Sequence, residues 1–335
     1  MAKICSLIIL LSVPFLIFNC GNSKSGKKTD SKSEHFSEKK VITKPVDISV
    51  FETTNLIEPI SKQEVKLENG SIKEFYKIIT KPQPIEHEAG PWCPITINDS
   101  KEKGGVWFKD GHLYDVDGSF IAHLDDFYND PKWKLYKENG EIKITKTQEA
   151  CEGAAKPDVE EEYYNYCVEC SPSYYKNVTN TFLIPVEPVF KEKITQIGRG
   201  GIGLAFNGVK FDGPAPLNAI ISAHTLAPLD DCGGHVNQHS GYHYHAAIGC
   251  TKKIEQTNNH SALIGYAIDG FGIYELDKTT NDLDECNGHE DNLRGYHYHV
   301  NKPGENQIIN CLHGITAQTN NKRSGHKPPP NHKKE

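Results

Sequence analysis

A short segment rich in cysteine, glycine and histidine occurs twice, and this repetition limits the possible folds more than any other feature. Asp231-Cys232-Gly233-Gly234-His235 is followed, after six residues, by Tyr242-His243-Tyr244-His245. Further along, Glu285-Cys286-Asn287-Gly288-His289 leads at the same spacing into Tyr296-His297-Tyr298-His299. Gly241 and Gly295 precede the first tyrosine of each tetrapeptide, and six of the chain's 16 histidines occupy equivalent positions. Two copies that keep cysteine, glycine and histidine in one register need one local frame, so an internally duplicated core is expected. The Tyr-His alternation fits a β-strand, with both histidines of a copy on one face and both tyrosines on the other.

Alternate side chains on a strand stand about 6–7 Å apart, a spacing from which two imidazoles can converge on one ion or anion. His235 and His289 each follow a cysteine by three residues within a Gly-containing turn and offer a third ligand per copy. The candidate metal ligands are therefore His235, His243, His245, His289, His297 and His299, serving one shared site or two. His224, just ahead of the first copy, is a further candidate. Neutral imidazoles suit zinc or copper, whereas calcium and magnesium want oxygen. Three histidines with an open position also match a catalytic metal centre. In such an enzyme, a hydrolase or an oxidoreductase, Tyr244 or Tyr298 is a candidate proton donor and Asp269 a candidate base. The competing reading is that the histidines only satisfy backbone carbonyls in a disulfide-stapled sheet. Asp230, Asp231, Asp284 and Glu285 either orient imidazole N–H groups or cap turns. Asp212 and Asp269 each precede glycine, which favours turn roles.

The chain's first residues read as a signal peptide over 1–19. Lys3 precedes an apolar run from Leu7 to Phe18 that is too short and too interrupted to span a membrane comfortably. Ile17-Phe18-Asn19-Cys20 resembles a bacterial lipoprotein processing site, with Cys20 as the lipidated first mature residue; an ordinary cleaved signal is the alternative. Residues 20–45 read as a polar tether, and Gly21, rather than an Asp, favours delivery of the lipoprotein to an outer membrane; a secreted or periplasmic protein is the alternative. Eight cysteines remain besides Cys5 and Cys20. An even number in an exported chain implies up to four disulfides, with local closure expected as Cys232–Cys250 and Cys286–Cys311. Cys167 and Cys170 have no βαβ setting and read as structural, and an oxidising compartment disfavours zinc held by thiolates. With 37 basic against 44 acidic residues and no basic stripe outside the tails, the chain has no electrostatic footing for nucleic acid.

Beyond the tether, residues 46–190 read as a β-rich region, 191–314 as the duplicated core and 315–335 as a disordered basic tail. Hairpin turns are expected at Asn69-Gly70, Asp110-Gly111 and Asn139-Gly140, and Asp117-Gly118 should lead into a strand at Ser119–Ile121. A further hairpin at Asp269-Gly270, between the repeats, is expected to bring the copies side by side. Helix is scarce, limited to short pieces near 216–223 or 61–66. The fold class is mainly β, a β-rich α+β arrangement stapled by disulfides. A non-catalytic glycan-binding or adhesion role is a third reading, resting on Trp92, Trp107 or Trp133 as an exposed platform for a small-molecule or glycan ligand.

Several blocks together resemble the YHYH domain family, named for the tetrapeptide at 242–245 and 296–299. They are Asn207-Gly208-Val209-Lys210-Phe211-Asp212-Gly213-Pro214, Asp231–His235, Gly265–Tyr274 and Asp284–His289, and the resemblance runs from about Ile202 to Leu312. Members commonly carry Phe-Pro-Ile-Tyr after the Asp-Gly turn, where this chain has Gly272 in place of the proline. The resemblance implies an exported protein and no particular activity or ligand.

Overall fold

Seen in a computed structural model, the chain is described over residues 40–317, apart from 68, 155, 157, 199 and 278–281. The signal peptide, lipidation at Cys20, the tether up to residue 39 and the tail from residue 318 lie outside the described residues. Its strands are β1 (Ser61–Lys66), β2 (Ile72–Thr80), β3 (Val106–Lys109), β4 (His112–Asp115), β5 (Asn180–Pro185), β6 (Phe190–Gln196), β7 (Gly201–Ala205), β8 (Lys210–Asp212), β9 (Gly234–Asn237), β10 (Gly241–Tyr244), β11 (Leu263–Ala267), β12 (Gly272–Tyr274), β13 (Gly288–Asp291), β14 (Gly295–His299) and β15 (Cys311–Gly314). Helices are few and short, so the fold is mixed α+β with more strand than helix.

The main sheet has eight strands in the order β13-β14-β12-β11-β7-β8-β10-β9. Its centre is two tight hairpins, β7–β8 and β11–β12, joined by the antiparallel β7–β11 pair. Each hairpin turns through an Asx-Gly pair, Asn207-Gly208 or Asp269-Gly270, whose glycines sit at φ +85 and +90, where only glycine is unstrained. Gly203 and Gly265 let the two hairpins approach. A Cβ on Gly203 would lie 2.7 Å from Tyr266 O, and one on Gly265 would lie 2.4 Å from Leu204 O. Outside each hairpin a parallel strand is added, β10 on β8 and β14 on β12, and an antiparallel edge strand follows, β9 or β13. The two four-stranded halves of the sheet thus share one pattern of strand pairing.

The repeat is therefore longer than the cysteine-histidine segments. Ile202-Gly203-Leu204-Ala205 on β7 corresponds to Ile264-Gly265-Tyr266-Ala267 on β11. The expected hairpin at Asp269-Gly270 forms, but it does not set the histidine segments side by side. It is the second copy of the β7–β8 hairpin, so the histidine segments end on opposite edges of the sheet. Five strand spacings separate β10 from β14, roughly 24 Å.

The glycine that opens each Tyr-His-Tyr-His strand has a steric reason. Gly241 and Gly295 sit at φ +65 and +68. A Cβ on them would lie 2.3 Å from Pro82 Cγ and 2.6 Å from Ile42 O. Tyr242 N donates to Pro82 O and Tyr296 N to Ile42 O, so residue 42, counted above as tether, already lies against the second copy.

The smaller sheets are β1-β2-β5, β3-β4 and β6-β15. The turns at Asn69-Gly70 and Asp110-Gly111 form as expected. Asp117-Gly118 does not lead into a strand. The Asp117 side chain accepts from Phe120 N at 2.6 Å and caps a helix over Gly118–Ala122. The Asn139-Gly140 turn also forms, but its two arms share only the isolated Tyr136–Ile142 bridge, while Glu141 bridges Thr96 and Ile144 bridges Cys167. Leu217–Ile221 is helical, whereas Ser61–Lys66 is strand β1.

The described residues from Val41 onward form one unit, and its largest core cluster mixes Trp107, Ile121 and Leu135 with Phe211, Tyr242 and Tyr298. The boundary placed at 190/191 therefore marks no break in the core. Trp92, Trp107 and Trp133 are all buried, so none of them forms an exposed platform. Four disulfides staple the unit: Cys93–Cys167, Cys151–Cys170, Cys232–Cys250 and Cys286–Cys311. The last two are the local closures expected of each repeat.

Candidate metal centres

Each copy converges its own imidazoles. The ligand atoms of His235, His243 and His245 lie within 4.8 Å of one another, and so do those of His289, His297, His299 and His260. His235 and His289 come from the first strand of the edge hairpin, opposite His243 and His297 in register. The approach to that strand is a tight turn whose αL position is Gly233 in one copy and Asn287 in the other, the two residue types that tolerate it best. His245 and His299 follow two residues later on the same face. These side chains are buried or half-buried.

The backbone fixes which nitrogen faces inward. His243 Nδ1 donates to Gly241 O at 2.9 Å, and His297 Nδ1 to Gly295 O at 2.8 Å. His245 Nδ1 donates to Gly213 O at 2.6 Å, and His299 Nδ1 to Glu275 O at 2.9 Å. Gly213 and Glu275 are themselves equivalent positions, just past β8 and β12. A carbonyl oxygen only accepts, so each of these Nδ1 atoms carries the proton, and in the neutral ring Nε2 keeps a bare lone pair. The bare atoms of His243 and His245 face each other, Nε2 to Nε2, at 3.1 Å. His289 Nε2 lies 3.1 Å from the bare His299 Nε2; no carbonyl among the described residues fixes the His289 tautomer, and its Nε2 can be either donor or lone pair. His260, whose Nδ1 is 2.9 Å from Ser261 O, sets its Nε2 3.0 Å from His297 Nε2.

Where both Nδ1 atoms are tied, as in His243–His245 and His260–His297, the two facing lone pairs repel unless a cation, a proton or a metal ion, lies between them. Burial disfavours the proton. It pushes the pKa values of His235 and His297 down to about 3 and that of His299 to about 4, and it lowers those of His243, His245 and His289 as well. Two nitrogens bound to one tetrahedral zinc at about 2.0–2.1 Å lie roughly 3.3 Å apart, close to the separations found. Both clusters can coordinate a metal ion. The Asn237 amide, 3.2 Å from His243 Nε2, is a competing donor that an ion would have to displace.

The two centres differ around this shared core. The first is lined by three histidines and faces a cavity of about 780 Å³. Lys210 Nζ pairs with Asp212 Oδ2 at 2.8 Å and donates to Ser240 Oγ at 2.8 Å. Asp212 Oδ2 stands 4.0 Å from His243 Nε2, so this residue borders the site and is more than a turn former. The second centre gains His260, a ligand that no repeat pattern marked because the first copy has no counterpart. Asp277 Oδ2 lies 4.0 Å from His299 Nε2.

Other candidates fall elsewhere. His224 joins neither cluster; its Nε2 is 2.8 Å from Asp130 Oδ2 and its ring packs against Trp133. Tyr244 and Tyr298 point away from the imidazoles, as period two requires. Tyr298 Oη donates to Asp269 at 2.7 Å, and Tyr244 Oη accepts from Asn207 at 3.1 Å. Asp269 is fully buried behind β14, where burial pushes its pKa up to about 6. Thus all three candidate catalytic groups lie in the sheet's interior layer, on the far side of the strands from the imidazoles. Asp230 and Asp284 cap their turns, each accepting two backbone N–H groups of its turn and the hydroxyl of Tyr242 or Tyr296, and Asp230 also accepts from Gly90 N at 3.1 Å. His87 beside Cys232 and Cys250, and His313 beside Cys286, also resemble ligand sets. Their sulfurs are disulfide-bonded and offer no thiolate.

Comparison with known proteins adds one finding. A YHYH-family domain, whose model is described as "YHYH protein", covers residues 181–282. That stretch contains the first Tyr-His-Tyr-His strand and the β11–β12 hairpin but stops short of the second tetrapeptide, whereas the sequence resemblance ran on to Leu312. No curated protein and no solved structure matches the chain.

Proposed function

We propose that this is an exported protein binding two transition-metal ions, zinc or copper, one in each copy of the repeat. The observation that carries the reading is one pair of facing bare Nε2 atoms in each copy, His243–His245 at 3.1 Å and His260–His297 at 3.0 Å, with the opposite nitrogens tied to carbonyls. Imidazole nitrogens as the convergent ligands, with the Oδ2 atoms of Asp212 and Asp277 each 4.0 Å from a ring nitrogen, favour zinc or copper over calcium or magnesium. Four disulfides fit an oxidising compartment, and among the described residues no helix is long and apolar enough to cross a membrane. Attachment by lipid at Cys20, to an outer membrane, completes the proposal; the alternative is a secreted or periplasmic protein. The test is metal analysis of tag-free protein, stripped with chelator, reconstituted with zinc or copper and dialysed. Two ions per chain are expected, and one each in His243→Ala/His245→Ala and His297→Ala/His299→Ala. Trace metal after reconstitution would overturn the reading.

A second reading, a metal-dependent hydrolase or oxidoreductase of the envelope, draws support from the cavity beside the first centre. Tyr244, Tyr298 and Asp269 do not serve it, because they face away from that centre.

A further inference from the structure

We infer that the first-copy ion keeps one coordination position open to the cavity. This position takes the oxyanion of a small organic ligand, a phosphate or carboxylate group, with Lys210 as its second contact. The inference rests on the metal reading above and adds to it a ligand class for one of the two centres.

Ligand count is the first support. Zinc is commonly four-coordinate, and a centre with three protein ligands keeps its fourth position for water or substrate. The second copy supplies four imidazoles because His260 reaches in from the segment before β11. The first copy supplies three. Around both, the same carbonyls hold the same rings, so the difference lies in the fourth direction alone.

Shape is the second support. His235, His243 and His245 form part of the wall of a cavity of about 780 Å³, inside the range of small-molecule sites. This space is far larger than an inorganic oxyanion needs. Much of the remaining wall is apolar, with Trp92, Val168, Ile220, Ala227 and the Cys151–Cys170 disulfide. Glu152 also lines it, and its carboxylate accepts from Tyr175 Oη at 3.1 Å. A ligand filling this space carries an apolar body behind its charged end.

Charge is the third. Three neutral imidazoles leave a divalent ion's charge uncompensated. Asp212 is near, but Lys210 sits 2.8 Å from its carboxylate, and both side chains are largely buried. The pair is close to neutral, and the centre as a whole stays positive. A lysine ammonium has three N–H donors; two go to Asp212 and Ser240, and the third is available to an incoming oxygen. Exchange at the open position needs no redox partner: a bound water leaves and an anionic oxygen takes its place.

The test uses cobalt(II) as a spectroscopic substitute in the full chain. His297→Ala/His299→Ala isolates the first centre, and His243→Ala/His245→Ala isolates the second. Each loaded protein is titrated with inorganic phosphate and with phenyl phosphate while visible absorption is followed. The expected result is a saturable spectral change at the first centre only, at lower concentration for phenyl phosphate. Lys210→Met should weaken phosphate binding about tenfold, the size expected for loss of a charge-assisted hydrogen bond. Equal affinity for the two phosphates would overturn the apolar-body part. A cobalt-loaded first centre that ignores both anions would overturn the open position, as would a response appearing only in Asp212→Asn, which would mean that Asp212 fills it. Failure to take up cobalt at all would instead sink the metal reading.

Discussion

In the second copy four imidazoles surround the candidate ion position; in the first, three do, and the remaining direction faces a cavity. The groups common to both are those that orient rings. Gly241 and Gly295 offer carbonyls to the first histidine of the tetrapeptide, and Gly213 and Glu275 to the second. The groups that differ stand around the fourth position. Lys210 and Asp212 occupy the places of Gly272 and Tyr274 at the ends of equivalent strands, and Asn237 takes the place of Asp291. A duplicated scaffold can thus hold the ligand set constant while one copy becomes closed and the other stays accessible. Carbonyl oxygens suit this purpose because they fix tautomer and ring direction without depending on side-chain identity.

The largest expected effect separates the copies by metal retention. A ligand at a thousand times its Kd stabilises the folded state by about 4 kcal/mol, so each loaded centre should resist thermal unfolding strongly. Under graded chelator, the first-copy ion should leave before the second-copy ion. His260→Ala should remove that order, lowering second-centre affinity by at least the roughly 10–100-fold that loss of an outer-shell partner costs. Simultaneous release in the wild type, followed by metal analysis of dialysed fractions, would break the distinction.

Acid stability comes next. Burial holds His297 and His299 near pKa 3 and 4, below the ordinary value of about 6.5 in the unfolded chain. The unfolded chain therefore binds protons first as pH falls. This part of the stability is complete above about pH 6.5 and is lost progressively from there toward about pH 4 for His299 and about pH 3 for His297. Between pH 6.5 and 5 the two rings together should cost about 2–4 kcal/mol in metal-free protein. Urea unfolding of metal-free wild type and His297→Ala/His299→Ala at both pH values checks this; equal slopes would show that the rings are not buried as neutral imidazoles.

Behind the strands the copies differ again, with Asn207 under Tyr244 and Asp269 under Tyr298. The sign here is opposite to that of the histidines. Burial raises Asp269 to about pKa 6, above the unfolded value of about 3.9, so the folded chain keeps this proton longer. Its contribution is full below about pH 4, declines as pH rises to about 6, and is flat beyond. Asp269→Asn should therefore gain on the wild type by up to about 2–3 kcal/mol across that window. Its pH-independent offset comes from turning an amide nitrogen toward Gly314 N–H, which now donates to Asp269 at 2.8 Å. A constant difference between the two proteins from pH 4 to 6.5 would refute the assignment.

Much of this arrangement was legible in the sequence, and what was missed has physical causes. Period two correctly placed histidines and tyrosines on opposite faces, and the spacing of Cys232, Cys250, Cys286 and Cys311 gave the two local disulfides. The β11–β12 hairpin was legible from its Asp269-Gly270 turn, whereas the stretch that forms β7–β8 was legible only as a block resembling the family, and the equivalence of the two was hidden because Lys210 aligns with Gly272 and Asp212 with Tyr274. Edge and centre of a sheet are set by which strands pair across the molecule, a non-local choice that no short motif encodes. The convergence of imidazoles within each copy, and their distance between copies, follows from that pairing. His260 lies outside the repeat and had no pattern to mark it. Asp117 looked like a turn residue and is a helix cap; both roles use the same side-chain acceptance of a nearby N–H, so local chemistry could not separate them.

The smallest effect compares the two tyrosine–aspartate contacts. Tyr242 Oη donates to Asp230 at 2.7 Å and accepts from His87 Nε2 at 3.0 Å, while Tyr296 Oη donates to Asp284 at 2.7 Å. Asp230 is only 1% exposed, whereas Asp284 is open to solvent. Removing the hydroxyl leaves Asp230 Oδ2 with Gly90 N–H at 3.1 Å and a lost donor that water does not easily replace, and it strips His87 Nε2 of its partner. Asp284 recovers by hydration. Tyr242→Phe should therefore cost about 1–3 kcal/mol and Tyr296→Phe less than about 1 kcal/mol, read from urea midpoints at unchanged m-value. Equal costs would mean that water reaches Asp230, and the first copy would then be more open on its inner face than its packing indicates.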